Sequence, residues 1–119
     1  MTKQRKNLGN KGEDLATNYL ESKKYKILDR NYTTKYGEID IIAQYGDDIV
    51  LVEVKTKKNF FQGGAVELIN RKKINKLKKL AQYITLIYPQ NNIRIDAVVI
   101  DWIENYPQIK HIKNIIFDF

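Results

Sequence analysis

Two acids and a lysine near the middle of this 119-residue chain have the types and spacing of a metal-dependent hydrolytic site. Asp40 ends the segment Gly37-Glu38-Ile39-Asp40, and Glu53 and Lys55 lie in Val52-Glu53-Val54-Lys55. Carboxylate oxygens are the ligands that hard divalent ions such as Mg²⁺ or Mn²⁺ prefer. Such an ion activates water and stabilises the charge that develops on a phosphodiester under attack. The lysine would orient the nucleophile or neutralise that charge.

The segments that carry these residues are predicted to form a β-hairpin. Ile39–Gln44 and Ile49–Lys55 are rich in branched apolar residues, and the residues between them are typical of a turn. A two-residue turn would put Asp40 opposite Glu53, whereas a four-residue loop would put it opposite Lys55. Side chains alternate along a strand, so in both registers the three share one face. A three-residue loop would separate them unless a bulge restored the register.

This constellation has two interpretations. Carboxylates that face each other across a strand pair repel, so Asp40 and Glu53 require a positive charge nearby. A divalent metal ion would supply it, and so would an ordinary salt bridge from Lys55 to either acid. Glu38 lies on the face of Asp40, one step further out, as a candidate accessory ligand. The residue types alone leave the two interpretations open.

The remaining elements follow from the apolar pattern. A stripe at helical spacing predicts a first helix from about Asn10 to Lys24, with Asn10 as its cap. Residues 25–32 predict a strand, 65–88 a long helix, and 92–101 and 109–119 two more strands. The hairpin is apolar on both faces, with one face formed by Ile39, Ile41, Ala43, Val50, Val52 and Val54 and the other by Ile42, Ile49 and Leu51.

A hairpin that is buried on both faces belongs inside a sheet covered by helices. We therefore predict a single α/β domain over residues 1–119, with a mixed central sheet flanked by helices. Residues 1–9 are predicted to form a basic, mobile arm.

Composition narrows the function classes. Lysine and arginine number 21 against 14 acids, for a formal net charge of +7, which favours polyanionic partners. The chain contains no cysteine, so thiol catalysis and disulfides are excluded, and a reducing cytoplasm is the expected location. No apolar run approaches the ~20 residues of a membrane span. No GxxxxGK[ST] phosphate loop is present, which argues against nucleotide hydrolysis.

The second helix carries a strongly basic face. A run of such charges is either a solvated surface or a row of phosphate contacts. The residues concerned are Arg71, Lys72, Lys73, Lys76, Lys78 and Lys79.

The motifs together resemble a known family. The combination of Gly12-Glu13, Asn31, Gly37-Glu38-Ile39-Asp40, Val52-Glu53-Val54-Lys55 and Arg94-x-Asp96 resembles the YraN-like uncharacterised protein family over nearly the whole chain. That family is similar to archaeal Holliday-junction resolvases and to PD-(D/E)xK nucleases of the restriction-endonuclease-like fold. Ile39 stands where the motif has proline.

The resemblance implies roles for particular residues. It implies that Asp40, Glu53 and Lys55 are catalytic and that Glu13 completes the metal site, although a first-turn acid also suits the helix dipole. It implies that Lys73 is the lysine that the family carries on its second helix, and thus a DNA contact beside Arg71, Lys72 and Lys76. It further implies a Mg²⁺-dependent endonuclease, working as a homodimer on branched or structured DNA rather than RNA.

Two other functions stay open beside the nuclease: a non-catalytic nucleic-acid-binding module that retains the fold, and an interaction subunit of a larger assembly. Arg94 and Asp96 are predicted to form a structural ion pair near the site. His111 has no partner that the sequence reveals, and it is assigned no role.

Overall fold

The computed structural model describes residues 3–58 and 71–115, and these form two helices and five strands in the predicted order. The elements are α1 (Lys3–Ser22), β1 (Lys26–Thr34), β2 (Gly37–Tyr45), β3 (Asp48–Lys58), α2 (Arg71–Ile87), β4 (Asn92–Ile103) and β5 (Tyr106–Ile112).

The strands form one sheet in the order β1-β2-β3-β4-β5. Strands β3 and β4 are parallel, and every other neighbouring pair is antiparallel. A parallel pair needs a crossover connection, and α2 lies in the connection from β3 to β4. The prediction of an α/β fold with a mixed sheet flanked by helices is therefore confirmed.

Each face of the sheet packs against one helix. On the α1 side, the buried cluster consists of Ala16, Leu20, Tyr25, Ile41, Ala43, Val50, Val52, Val98 and Ile100. On the α2 side, it consists of Ile39, Ile42, Ile49, Leu51, Ile74, Leu77, Leu80, Ile84, Ile95, Ala97 and Ile115. Two apolar faces explain why the central strands lack the simple alternation of a half-exposed sheet.

One residue of the hairpin lies on the face opposite to the predicted one. Ile39 packs on the α2 side, whereas Ile41 packs on the α1 side as expected. Between them, the β2–β3 pairing stops at Ile41↔Val52, and the neighbouring strand β1 contains Asn31 with a left-handed φ of 53°. The regular alternation is interrupted at this step, so counting by twos fails at Ile39.

Two boundaries also differ from the sequence prediction. Helix α1 begins at Lys3, so Asn10 lies within the helix and does not cap it. The residues before Asn10 include several good helix formers, and nothing among them stops the helix. Strand β5 ends at Ile112, earlier than predicted, because the chain bends at Asn114 (φ 54°), whose amide donates to Asp96 Oδ1 at 3.1 Å.

Parts of the predictions fall on residues 1–2, 59–70 and 116–119, which lie outside the described residues. They include the first turns of the predicted second helix and the end of the predicted last strand. Within the described ranges, neither helix is long and apolar enough to cross a membrane.

Candidate functional site

The β2–β3 hairpin opens where its charged residues begin. The turn has two residues, one of the loop lengths that the sequence left open, since Tyr45 pairs with Asp48 and Gly46 has a left-handed φ of 59°. Regular pairing ends at Ile41↔Val52, and beyond this step Glu53 lies within electrostatic reach of Asp40. There the Val54 amide donates to Asp40 Oδ2 at 2.8 Å. The side chain of Asp40 thus lies at the point where the two strands separate.

Glu53 is one of two buried charged residues in the described part of the chain, and two lysines contact it. Its Oε1 lies 3.3 Å from Lys55 Nζ and 3.0 Å from Lys73 Nζ. Lys55 is two residues further along β3, whereas Lys73 reaches the same oxygen from α2. We call Asp40, Glu53, Lys55 and Lys73 the acid–lysine cluster.

Asp40 carries a perturbed proton affinity. Burial and the neighbouring Glu53 carboxylate raise the pKa of Asp40 to about 7, against the opposing effects of the Val54 amide and the Lys73 charge. Glu13 also raises this pKa, so it lies within electrostatic reach of Asp40. The raised pKa indicates that the positive charge near Asp40 does not compensate for burial and for the Glu53 charge. Raised pKa values of this kind are frequent among functional carboxyl groups.

Helix α1, which carries Glu13, makes a close contact with the sheet at the preceding residue, Gly12. A Cβ atom at Gly12 would fall inside the side chain of Thr56, which follows Lys55 in β3. Only glycine allows the helix to approach the sheet this closely without a shift. This close approach is the physical reason for the glycine in the Gly12-Glu13 motif, since it lets α1 dock directly beside the acid–lysine cluster.

Asn31 links two further acids. With its amide nitrogen turned toward them, Asn31 donates to Glu13 Oε1 and to Glu38 Oε1, each at 3.1 Å. Arg30 lies on the other side of Glu13, with its Nη2 3.8 Å from Glu13 Oε1. Burial raises the pKa of Glu13, in spite of Arg30 and Asn31. The structure therefore brings Glu13 and Glu38 together, with Glu38 exposed and Glu13 partly buried.

The donor set is suited to a hard cation but is not assembled around one point. The acids near the opening of the hairpin offer carboxylate oxygens, which suit Mg²⁺ or Mn²⁺. Within residues 3–58 and 71–115, no three Asp, Glu, His or Cys side chains are grouped so that they could hold a metal ion. A divalent ion at Glu53 would compete with the ammonium groups of Lys55 and Lys73 for its carboxylate.

The predicted DNA-contacting residues of α2 divide into two groups. Arg71, Lys72 and Lys76 are exposed on the helix surface. Lys73 instead turns toward the sheet and pairs with Glu53. The sequence pattern groups Lys73 with the other basic residues of α2, because its contact with β3 depends on how the helix packs across the sheet.

A second polar network lies on the α1 face of the sheet. Asp96 is fully buried and accepts hydrogen bonds from Arg94 Nε and Nη2, both at 3.0 Å. His111 Nε2 donates to the same carboxylate at 2.7 Å, and Tyr19 OH lies 3.3 Å from His111 Nδ1. We call Arg94, Asp96 and His111 the Arg94 network.

The predicted Arg94–Asp96 ion pair is present, but on the sheet face opposite to Lys73 and Glu53. His111, to which the sequence assigned no role, makes structural contacts, because this histidine bridges the buried Asp96 to Tyr19 of α1. No sequence signal could have indicated this contact, since Asp96 and His111 meet only through the pairing of β4 with β5. Asn31 had a signal, because an asparagine in a strand tolerates the left-handed conformation.

Comparisons with known proteins lead to one family. The model of the uncharacterised protein family UPF0102 matches residues 12–100, a range that contains Glu13, Asp40, Glu53 and Lys73. A UPF0102 protein of Thermodesulfovibrio yellowstonii is 43% identical over 111 residues, covering 92% of this chain and 96% of the relative. A UPF0102 protein of Alkaliphilus oremlandii is 41% identical over 113 residues, covering 92% and 97%. One of Geobacter metallireducens is 40% identical over 118 residues, covering 96% and 95%.

Proposed function

We propose that this chain, which belongs to the uncharacterised protein family UPF0102, is a metal-dependent endonuclease that hydrolyses phosphodiester bonds in DNA. The observation that carries the proposal is the meeting of two carboxylates, Asp40 and Glu53, with lysines at the opening of the β2–β3 hairpin. The mixed sheet with a helix on each face supports the proposal that the fold is restriction-endonuclease-like.

The acids would hold a Mg²⁺ or Mn²⁺ ion, with Asp40 and Glu53 as ligands and Glu13 assisting from α1. A bound divalent ion supplies a Lewis acid, and it lowers the pKa of water bound to it. The raised pKa of Asp40 favours such a ligand role, because a cation beside it relieves the repulsion from Glu53. Glu38, joined to Glu13 through Asn31, would orient that side chain as an accessory residue.

The lysines would act on the substrate. Lys55 is partly exposed beside Glu53, so its ammonium group can orient the attacking water or neutralise the developing charge on the phosphate. Lys73 would leave Glu53 when a cation binds and could then contact a phosphate oxygen.

The proposal extends to substrate and assembly. The net charge of +7 supports binding to a polyanion, and the exposed Arg71, Lys72 and Lys76 beside the cluster would contact the DNA backbone. Branched or structured DNA is the proposed substrate class. Cutting two strands of a junction requires two active sites, so the proposal includes a homodimer. It places the enzyme in the cytoplasm, in keeping with the absence of cysteine.

The test is cleavage of labelled four-way-junction, flap and linear duplex DNA in the presence of Mg²⁺ or Mn²⁺. Glu53→Gln keeps the size of the side chain and removes its charge, so we expect at least a ~100-fold loss of rate. Glu21→Gln is the matched control, because Glu21 is an exposed acid on α1. All proteins are purified identically, so that a contaminating nuclease would appear equally in each.

A wild-type enzyme that cuts, beside an inactive Glu53→Gln and an active Glu21→Gln, supports the proposal. Cleavage that is equal in all three proteins contradicts it, as does a lack of cleavage on every substrate with either metal. The substrate that is cut fastest identifies the DNA structure that the enzyme prefers.

A second candidate function is a non-catalytic nucleic-acid-binding module. The observation that favours it is that Lys55 and Lys73 already neutralise Glu53, so this carboxylate is satisfied without a metal ion. Salt-dependent DNA binding, unaffected by Glu53→Gln and without cleavage, would support the module over the enzyme.

A further inference from the structure

An open groove runs beside the acid–lysine cluster. It has a volume of about 840 Å³, and it is lined by Tyr36 on one side and by basic side chains of α2 on the other. The basic lining residues are Arg71, Lys72, Lys73, Lys76 and Lys79. Because Lys73 also contacts Glu53, the groove leads directly to the acids of the candidate site.

The wall opposite α2 is the β1–β2 turn, and contacts on both of its sides hold it in place. Thr34 Oγ1 donates to the Gly37 carbonyl at 2.9 Å and accepts from the Tyr36 amide at 3.0 Å. The Tyr36 ring meets Tyr83 of α2 at an angle of 60°, with 5.9 Å between ring centroids. The Lys76 stem passes so close to Gly37 that a Cβ atom there would lie 2.5 Å from Lys76 Cε.

The α2 wall concentrates positive charge. From Arg71 to Lys79 the helix contains six basic residues and no acid. Lys72, Lys76 and Lys79 follow one another at about one helical turn, ~5 Å along the axis. Like charges at these spacings destabilise a helix. A polyanion bound along this wall would remove that repulsion.

Tyr36 is an exposed aromatic residue that lies across the groove from the charged α2 wall. Its side chain is 43% exposed, although its ring contact with Tyr83 keeps its position defined. The ammonium group of the exposed Lys35 lies 5.2 Å from its ring centroid and adds a further cation at this edge. An aromatic surface among phosphate-binding groups is the arrangement with which proteins hold single-stranded nucleic acids, because every base offers a face for stacking.

We propose that this groove binds an unpaired strand of nucleic acid, with its phosphates along α2 and a base stacked on Tyr36. The inference rests on the proposed nuclease function, for which it names the substrate class: strands with unpaired nucleotides next to the cut. In a continuous duplex the bases are paired and stacked in the interior of the helix. An aromatic ring that lies beside the phosphates therefore has no exposed base on which to stack. A flap or a single strand supplies one, as does a junction with unpaired nucleotides at its branch point.

The test is binding of a fluorescently labelled single-stranded DNA and of the matching duplex, measured by anisotropy in EDTA so that nothing is cut. Tyr36→Leu keeps an apolar contact for Tyr83 and removes the aromatic face. We expect it to weaken single-strand binding by about 5-fold to 150-fold, since stacking on one aromatic contributes about 1–3 kcal/mol. Its duplex affinity should stay within twofold of wild type.

Two variants serve as controls for the aromatic face. Tyr36→Phe retains the ring and should bind the single strand like wild type. Tyr106→Leu removes another exposed tyrosine, 73% exposed at the start of β5, and should change neither affinity. Circular dichroism and thermal unfolding of each variant show that the fold is intact.

The lysines that line the groove have their own measurement. The double substitution Lys72→Gln and Lys79→Gln should reduce the slope of log affinity against log salt for the single strand. The expected reduction is about 0.7 for each phosphate that the variant no longer neutralises. Lys110→Gln, at an exposed lysine of β5, is the matched control and should leave the slope unchanged.

The outcomes separate this inference from the proposed function. If Tyr36→Leu binds the single strand as tightly as wild type, or if it loses duplex and single-strand affinity equally, the inference is overturned. If Tyr36 is required for single-strand binding but no DNA is cut, the groove stands and the nuclease proposal fails. If DNA is cut and Tyr36→Leu binds normally, the nuclease stands without this groove.

Discussion

Asp40 and Asp96 are partly and fully buried aspartates of one sheet, and their surroundings shift their pKa values in opposite directions. Asp96 loses hydration by burial, but His111, Arg94 and the Asn114 amide donate hydrogen bonds that outweigh this loss and lower its pKa. Asp40 also loses hydration and accepts a hydrogen bond from Val54, yet burial and the Glu53 carboxylate raise its pKa to about 7.

The difference distinguishes a structural network from the cluster that we propose to be functional. In the Arg94 network the charges are matched, so the network joins β4, β5 and α1 without needing a ligand. In the acid–lysine cluster the acids repel each other, and the lysines that offset them are partly exposed. Burying an acid without a matching positive charge lowers the stability of the fold. Proteins keep such acids mainly where they bind a ligand or take part in a reaction.

The largest expected effect compares the stability cost of the two acids. Asp96→Ala removes the carboxylate that Arg94 and His111 share and leaves Arg94 only Asp48 and the Tyr25 hydroxyl, so we expect a loss of about 3 kcal/mol in unfolding free energy, at the lower end for a broken buried ion pair. Asp40→Ala removes an acid that Glu53 repels, and we expect a loss of less than about 1 kcal/mol. Urea unfolding at pH 8 in EDTA measures both. Equal losses in the two variants would contradict the distinction between the clusters.

The next prediction displaces α1, which carries Glu13, from the sheet. Gly12→Ala forces α1 away from Thr56, so we expect a loss of about 1–3 kcal/mol together with a lower cleavage rate. Lys11→Ala, at the exposed neighbouring position, should change neither quantity. Tyr19 of α1 contacts the ring of His111, the single histidine of the chain, so the NMR signals of this ring report whether the displacement of α1 extends to the Arg94 network. A Gly12→Ala variant that keeps both its stability and its cleavage rate would contradict the prediction.

The third prediction uses pH. The folded-state pKa of Asp40 is raised, so its contribution favours folding at low pH and is lost as the pH rises from about 4 to about 7. In EDTA, the wild type should therefore lose stability relative to Asp40→Asn over that range, by on the order of 1 kcal/mol. The lowered pKa of Asp96 works oppositely, and its contribution is lost only as the pH falls below about 4. If the stability difference between wild type and Asp40→Asn stays constant from about pH 4 to about pH 7, the pKa of Asp40 is not raised.

The smallest effect is the response to metal. An ion that binds only the folded state at about five times its Kd stabilises the protein by about 1 kcal/mol. We expect Mg²⁺ or Mn²⁺ to raise the unfolding free energy of wild type, and to leave that of Glu53→Gln unchanged. The His111 ring signals should not move on addition of Mg²⁺, because the Arg94 network lies on the other face of the sheet. An equal metal response in both proteins would place the binding elsewhere.

Local patterns predicted much of this molecule. The order of elements, the mixed sheet and the presence of a turn around Gly46-Asp47 follow from apolar periodicity and turn chemistry, which act over a few residues, whereas the length of that turn was left open. Errors arose where a distant contact overrode the local pattern. Ile39 changes face where the hairpin opens, and strand β5 stops where the chain turns to bond Asp96.

The sequence by itself determined which chemical groups are present and which strands carry them: Asp40, Glu53 and Lys55 on one hairpin, with Glu13 on the first helix. Only the tertiary structure decided how charge is balanced among them. It turned Lys73 to Glu53, joined Glu13 and Glu38 through Asn31, and gave His111 a partner in Asp96. The physical reason is that a pKa or an ion pair depends on distance and burial, and both are set by how separate elements pack together.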